Sequence, residues 1–391
     1  MKIGIAVFAY CRNKHLEQVL NGLKANTGID KLYVFQDGLK TEDHRIGWLE
    51  TTKLIEEIDW CEVKYIKAHK NQGLRISIIK GIDYVLSEND AIVVVEDDCV
   101  PTPGFMTYMR VCLEKYESNK NVWHVGGYGR AFLNEKRDTD VYFSNKMDCW
   151  GWGTWKDRWN RCDFTKDYLL ILQTDRELSL KTNLWCSLGV EDILYEVEKG
   201  NVDTWDLWWA LCIIENDGLC VSPYKSYIRN IGFDGSGTHC PGGVSKYESM
   251  IQTEQNENVS FQQEERIEEF VRKAFSESDW GSALAYHRLF SDEKQKNKAV
   301  IYGVGNGLRE YEKQISKLYD VIGLVDRARK GYYAGIEIEK PDRLMDYMLD
   351  KNVKILITLM DYEKAYEIKK YIIKEYNIDA EQIVVLSSCE G

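Results

Sequence analysis

The sequence predicts an α/β protein: a mixed, mainly parallel sheet with helices on both faces, followed by a small second α/β domain. Three observations carry this. Short apolar runs rich in β-branched residues alternate with stretches of helical spacing through residues 1–126, and the alternation restarts at Ala299. At 391 residues the chain is too long for one ordinary core. Between the alternating regions lies a polar stretch ending in Ser291–Lys298, SDEKQKNK, the composition shift of a boundary. The expected domains are therefore 1–244, in two halves of about 1–126 and 127–244, a helical extension and linker over 245–298, and the small domain over 299–391.

In chain order, Ile3–Ala9 reads as a strand, and Leu16, Val19, Leu20 and Leu23 set a helix over His15–Lys24. Leu32–Phe35 is a second strand, running into Gln36-Asp37-Gly38. A helix over Glu42–Ile58, a strand over Val63–Ile66, a helix over Leu74–Leu86 and a fourth strand over Ile92–Val95 follow. This order implies parallel strands joined by right-handed crossovers. In such a sheet, ligands bind outside the carboxyl ends of the strands. Tyr10, Arg12 and Asn13 follow the first strand and Asp37 the second, while Asn71, Gly73 and Arg75 lie just ahead of the helix leading into the fourth. No glycine-rich loop follows the first strand, so phosphates there must be held by a metal and side chains rather than by a helix N-terminus.

The fourth strand is the focus. Ile92–Val95 reads as buried on both faces, and Glu96, Asp97 and Asp98 fall at its carboxyl end before Pro101 and Pro103 turn the chain into a helix. Three adjacent carboxylates repel one another, and their desolvation is costly unless a cation or a set of donors compensates. A hard divalent ion bridging to a diphosphate would compensate them. The plainer alternative is a solvated acidic turn, or one Asp capping the next helix.

Composition excludes other partners. A net charge of -12 leaves no basic face to displace counterions from nucleic-acid phosphates, and no chain-wide attraction to anionic lipid. The 11 cysteines contain no C-x-x-C pair, so they suggest no zinc site, and their odd number points to reduced thiols. No apolar run reaches the roughly 18 residues needed to cross a bilayer. The expected location is the cytoplasm, with at most peripheral contact at the inner face of the membrane.

VFAYCR, FQDG, NQGL and VVVEDDCVPTPGFMTYM, in this order and at these spacings, resemble a GT-A glycosyltransferase, of the branch that includes N-acetylglucosaminyltransferase I and related bacterial sugar transferases. The resemblance covers about residues 1–240. It implies a uridine diphosphate sugar as donor, with Mn2+ or Mg2+. Carried over by position, Tyr10, Arg12 and Arg75 lie on the donor side, Asp37 contacts the base, Glu96 and Asp97 the ribose and nearby sugar groups, and Asp98 the metal. A carboxylate accepts from ribose hydroxyls or the uracil imino group, and one aspartate with phosphate oxygens and waters fills an octahedral hard-cation site. For Asp37, an Asx turn before Gly38 is an equal reading.

Residues 127–240 are expected to form the acceptor side. Met147–Trp159 holds four tryptophans and two glycines, and Trp150, Trp152 and Trp155 are placed to present flat faces to sugar rings; the alternative is a cluster plugging the sheet edge. In Val202–Trp209, VDTWDLWW, Asp206 lies among bulky aromatics, partly desolvated and suited to take a proton from an acceptor hydroxyl. The family places its base in a Trp-Asp-Asp-Trp setting, but Leu207 stands at the second of those positions, which leaves the base between Asp206 and Asp203. A helix N-cap is the alternative at either aspartate, above all at Asp203. A strand is expected over Cys220–Ile231, then a glycine-rich loop whose His239 is a candidate metal or diphosphate ligand.

From Ala299, AVIYGVGNG is a strand and glycine turn, with helices over Arg309–Leu318 and Tyr362–Tyr376 and strands at VIGLVD, KILITL and QIVVL. Gly303, Gly305 and Asp326 resemble part of a dinucleotide fingerprint, but Leu308 stands where its last glycine belongs. The unit is Rossmann-like and reads first as a docking or homo-oligomerisation module. The function expected overall is metal-dependent, inverting transfer of a sugar to a glycan or glycolipid acceptor, such as a lipid-linked surface polysaccharide. The competing readings are a non-catalytic nucleotide-sugar scaffold and an NAD-dependent sugar oxidoreductase.

Overall fold

The structure, a computed structural model, describes residues 1–133, 138–186, 189–235, 250–253, 258–290 and 296–386. The chain divides into two compact units, Met1–Lys166 with Gly200–Val271, and Asp167–Lys199 with Arg272–Gly391.

The first unit begins with β1 (Ile3–Ala9), α1 (Asn13–Lys24), β2 (Lys31–Gln36), α2 (Arg45–Glu56), β3 (Glu62–Lys67), α3 (Leu74–Glu88) and β4 (Ala91–Glu96). Then come β5 (Cys99–Pro101), α4 (Phe105–Tyr116), β6 (Val122–Gly126), β7 (Val141–Ser144), β8 (Trp152–Trp155) and α5 (Lys156–Trp159). Helices α6 (Tyr168–Thr174), α7 (Arg176–Cys186) and α8 (Gly189–Glu198) belong to the second unit, although the sequence placed them in the acceptor half of the first. The chain returns as α9 (Asp206–Glu215), β9 (Leu219–Pro223) and β10 (Ile228–Asn230).

Eight strands form one sheet in the order β3-β2-β1-β4-β8-β6-β9-β7. The pairs from β3 to β4 are parallel, as the alternation of strand and helix requires, while β8 runs antiparallel to both β4 and β6. Both faces are covered. Ala6, Phe8, Ile92 and Val94 join a core with Ile78, Ile82 and Val85 of α3, while Val7, Val93 and Val95 on the opposite pleat are equally buried. Burial on both faces explains why β1 and β4 read as continuous apolar runs. The strand expected over Cys220–Ile231 is two strands: after β9 ends at Pro223 the chain leaves the large sheet, and β10 pairs antiparallel with β5.

In the second unit, α10 (Glu269–Ser276), where the division falls, and α11 (Ala283–Phe290) lead into β11 (Asn297–Tyr302), α12 (Asn306–Leu318), β12 (Tyr319–Val325), β13 (Tyr332–Tyr333), β14 (Ile336–Glu339), α13 (Leu344–Tyr347), β15 (Lys354–Ile357), α14 (Tyr362–Tyr376) and β16 (Ile383–Val385). Its sheet has the order β13-β14-β12-β11-β15-β16, parallel except for the β13–β14 hairpin. Asp326 closes the glycine turn, one carboxylate oxygen accepting from Val304 N at 2.8 Å and the other from Ala328 N and Arg329 N. Its oxygens serve the loop rather than standing free for a ribose. Helices α6 to α8 are held by bonds to this unit: Ser179 Oγ donates to Tyr332 O at 2.9 Å, and Asn183 Oδ1 accepts from Ala334 N at 2.8 Å. No helix among the described residues is long and apolar enough to cross a membrane.

Candidate active site

The strand order places a change of direction between β1 and β4. From β1 the chain winds outward through β2 to β3, then returns by α3 to the other side of β1, which makes the carboxyl ends of β1 and β4 a topological switch point, the place where the crevice of an open α/β sheet takes its ligand. Phe8 pairs with Glu96, which brings the residues after each strand together. Arg12 Nη2 donates to Asp97 Oδ1, and Nη1 lies 3.0 Å from Asp98 Oδ2. Burial works against the charge of Arg12, but Asp97 and Asp98 more than offset it and hold its pKa raised. Burial pushes the 5% exposed Asp97 upward against the pull of Arg12.

Glu96 is in a different position. Its carboxyl has no hydrogen-bond or ion-pair partner among the described residues. Burial, and then the charges of Asp98, Asp97 and Asp206, raise its pKa well above the usual carboxylate range. The same grouping reaches Cys149, whose thiol is raised by burial and by Asp206 and Glu96. The structure therefore gathers Arg12, Glu96, Asp97, Asp98 and Asp206 at one end of the central strand. Cys149 joins them without having been anticipated; a thiol in a tryptophan-rich segment gives no signal of which carboxylates it will meet.

Asp206 arrives on the first turn of α9, and a stack of indoles sets the position of that turn. Trp205 stacks on Trp152 with ring centroids 5.2 Å apart, and Trp209 packs against Trp159 at the same distance. Trp209 Nε1 donates to His124 Nδ1 at 3.3 Å, which leaves the Nε2 proton to Asp148 O at 3.2 Å. Burial keeps this imidazole neutral, its pKa pushed down to about 3. Thr204 Oγ1 donates to Asp206 Oδ1, and among the described residues no side chain or backbone N–H bonds Asp206 Oδ2.

Asp203 is drawn elsewhere. Its oxygens accept from Leu74 N at 2.7 Å and Arg75 N at 3.2 Å, so it caps α3 from a distant part of the chain. Gly73, at φ +86°, is where the chain needs both the left-handed backbone and the missing side chain, since a Cβ there would sit 2.5 Å from Asp203 Oδ2. Arg75 stacks its guanidinium 3.5 Å from the centroid of Trp208 and donates to Phe164 O; burial lowers its pKa. Asp37 is similarly engaged, accepting from Gly38 N, Gln72 N, Gly73 N and Asn71 Nδ2 at 2.8–3.0 Å. That is the Asx-type alternative extended to a second loop: Asp37 fastens Asn71–Gly73 to the end of β2. Tyr10 Oη accepts from Lys40 N at 2.9 Å and pairs with His44 Nδ1 at 2.9 Å.

The three tryptophans expected to meet an acceptor separate. Trp152 and Trp155 are 0% and 1% exposed on β8, Trp152 in the indole stack and Trp155 donating to Leu113 O at 3.1 Å; neither offers a face to a ligand. The reason is topological, because β8 is an interior strand covered on both sides. Trp150, ahead of the strand, stays partly exposed, edge-on to Tyr128 at 4.6 Å and Phe233 at 5.7 Å. Phe233 follows Ile231, whose amide donates to Asp98 O at 2.9 Å, so this aromatic group lies beside the carboxylates. His239 lies outside the described residues.

Among the described residues, no three His, Cys, Asp or Glu side chains converge as a metal shell. Mg2+ and ions like it do not require one, since one or two carboxylates completed by waters and substrate phosphates suffice. Asp98, whose Oδ2 lies 3.0 Å from Arg12 Nη1 at the carboxyl end of β4, is one such carboxylate, so the residues present fit an ion completed by phosphates and waters.

The chain is similar to several solved structures. These include residues 1–349 of TarS from S. aureus, at 10% identity and a TM-score of 0.35, over 59% of this chain and 61% of that one. The mannosyltransferase PcManGT from Pyrobaculum calidifontis, in complex with GDP-Man and Mn2+, matches at 8% identity and 0.32, over 55% and 69%. The glycosyltransferase GlyE from Streptococcus pneumoniae matches at 11% and 0.33, over 100% and 94%. The chain thus spans less than two thirds of the TarS structure. No protein-family model matches it, and no curated protein does.

Proposed function

We propose that the protein is a GT-A glycosyltransferase that moves a sugar from a uridine diphosphate sugar to a hydroxyl of a glycan or glycolipid acceptor. The observation that carries this is the convergence of Glu96, Asp97, Asp98, Arg12 and Asp206 at the carboxyl end of β4, where the strand order reverses. Such a crevice receives a nucleotide, and its acidic floor suits a cation-bridged diphosphate.

In this reading Asp98 would hold Mg2+ or Mn2+. The ion, when bound, neutralises charge on the departing diphosphate. Asp206 takes the acceptor hydroxyl proton as that oxygen bonds to the anomeric carbon, while the bond from that carbon to the diphosphate oxygen breaks and its electron pair leaves with the nucleoside diphosphate. One displacement with one base inverts the anomeric centre. Glu96 and Asp97 face the ribose and nearby sugar hydroxyls of the donor. Trp150 with Phe233 and Tyr128 provides the aromatic surface for the acceptor.

A panel of nucleotide sugars with Mn2+, Mg2+ or a chelator, read out as nucleoside diphosphate release, tests the proposal. Turnover should need the metal and a uridine diphosphate sugar, and Asp98→Ala should abolish it with the fold intact. Undiminished turnover of Asp98→Ala at limiting Mn2+ would remove Asp98 from this role, and absence of release with every donor would reject the reading.

A further inference from the structure

The second unit contains a cavity of about 340 Å3 that the chemistry above does not use. Its volume falls in the range of small-molecule sites. Leu180, Leu284, Val321 and Ile336 give it an apolar floor. Its charged lining is cationic: Arg176 at the start of α7, Arg288 in the last turn of α11 and Lys296 just ahead of β11, against a single carboxylate, Asp320. Lys296 Nζ donates to Ser316 O at 2.9 Å, which fixes it on the wall. Neither Arg176 nor Arg288 has a hydrogen-bond or ion-pair partner among the described residues. Burial, and then the charge of Arg176, lower the pKa of Arg288, with Asp320 opposing. Two guanidiniums and an ammonium against one carboxylate leave this cavity a positive excess, in a chain of net charge -12, that a bridging anion would offset.

The position is not the one a dinucleotide takes on such a sheet. Lys296 precedes β11, and Tyr319 and Asp320 open β12, whose register with β11 begins at Asn297–Tyr319. The cavity is therefore at the amino ends of these strands. The glycine turn follows the carboxyl end of β11, about 20 Å away along six residues at ~3.3 Å each.

We propose that this cavity binds a small organic phosphate, with the phosphate between Arg176 and Arg288 and the organic body over Leu180, Leu284 and Ile336. A phosphate suits this pair better than a carboxylate, because it presents three oxygens and up to two charges to two guanidinium forks. The apolar floor requires more than the bare ion.

The test is calorimetric titration of the full chain with glucose 1-phosphate, with glucose and inorganic phosphate as comparison ligands. Saturable binding of glucose 1-phosphate is expected, with inorganic phosphate weaker and glucose silent. Arg176→Ala and Arg288→Ala should each weaken binding several-fold, and Arg176→Glu/Arg288→Glu more than tenfold with the circular dichroism spectrum unchanged. Asp98→Ala should bind as the wild type does, which separates this site from the carboxylates after β4. The proposal is overturned if no saturable binding occurs, if the folded charge-reversed variant binds unchanged, or if Asp98→Ala abolishes binding. Inorganic phosphate binding as tightly as glucose 1-phosphate would overturn the assignment to an organic ligand.

Discussion

Asp203 and Asp206 lie three residues apart, yet their surroundings differ, and the proposed function gives one to stability and the other to turnover. Asp206→Asn keeps the shape and the acceptor for Thr204 Oγ1 but removes the carboxylate proposed to take the proton. Loss of general-base assistance lowers rate by about 100-fold to 10,000-fold, roughly 3 to 5 kcal/mol of transition-state stabilisation. Donor affinity should stay within a few-fold, because the proton is taken from the acceptor. Asp203→Ala instead removes the acceptor for Leu74 N and Arg75 N at the start of α3. An N-cap of this kind is worth about 0.5–2 kcal/mol, which for a unit of this size lowers Tm by roughly 2–4 °C per kcal/mol. Initial rates of nucleoside diphosphate release, donor titration and thermal melting on both variants separate the roles. If Asp203→Ala lost rate as severely as Asp206→Asn while melting like the wild type, the division of labour read from the hydrogen bonds would be refuted. Weakened donor binding in Asp206→Asn would instead make that residue a donor ligand.

Other perturbations have equally definite outcomes. Trp152→Ala should destabilise the first unit by about 3–5 kcal/mol, the range for a buried Trp truncation, whereas Trp150→Ala should leave melting nearly unchanged and raise the acceptor KM; equal melting of the two would contradict their different burial. Glu191, raised to about 7 by burial against the pull of Arg329, binds its proton more tightly folded than unfolded. Stability should therefore fall as pH rises from about 4.5 to about 7, and a Glu191→Gln series in urea should lose that slope. A chain ending at Phe290 keeps α6 to α8 but loses Tyr332, Ala334 and Arg329, to which Ser179, Asn183 and Asp192 bond; it should aggregate, and a monodisperse, cooperatively melting product would refute this.

What could be read in the sequence is what short-range patterns encode. A continuous β-branched run ending in three carboxylates announces a buried strand, and the strand–helix alternation announces a parallel sheet, but the reversal between β1 and β4 appears only in the strand order. The same reading could not see that Asp203 would meet the start of α3, 128 and 129 residues away, or that α6 to α8 would find partners about 150 residues further on. Nor could it sort the tryptophans. Trp150, Trp152 and Trp155 share one local pattern, and their separation depends on the neighbours of β8, which only the sheet order supplies. The buried indoles serve the site nonetheless. Trp152 and Trp159, stacked with Trp205 and Trp209, fix the first turn of α9, and that turn carries Asp206 to the carboxylates of β4. Most of these tryptophans therefore bear on the proposed chemistry by placing Asp206 rather than by offering a face to a ligand.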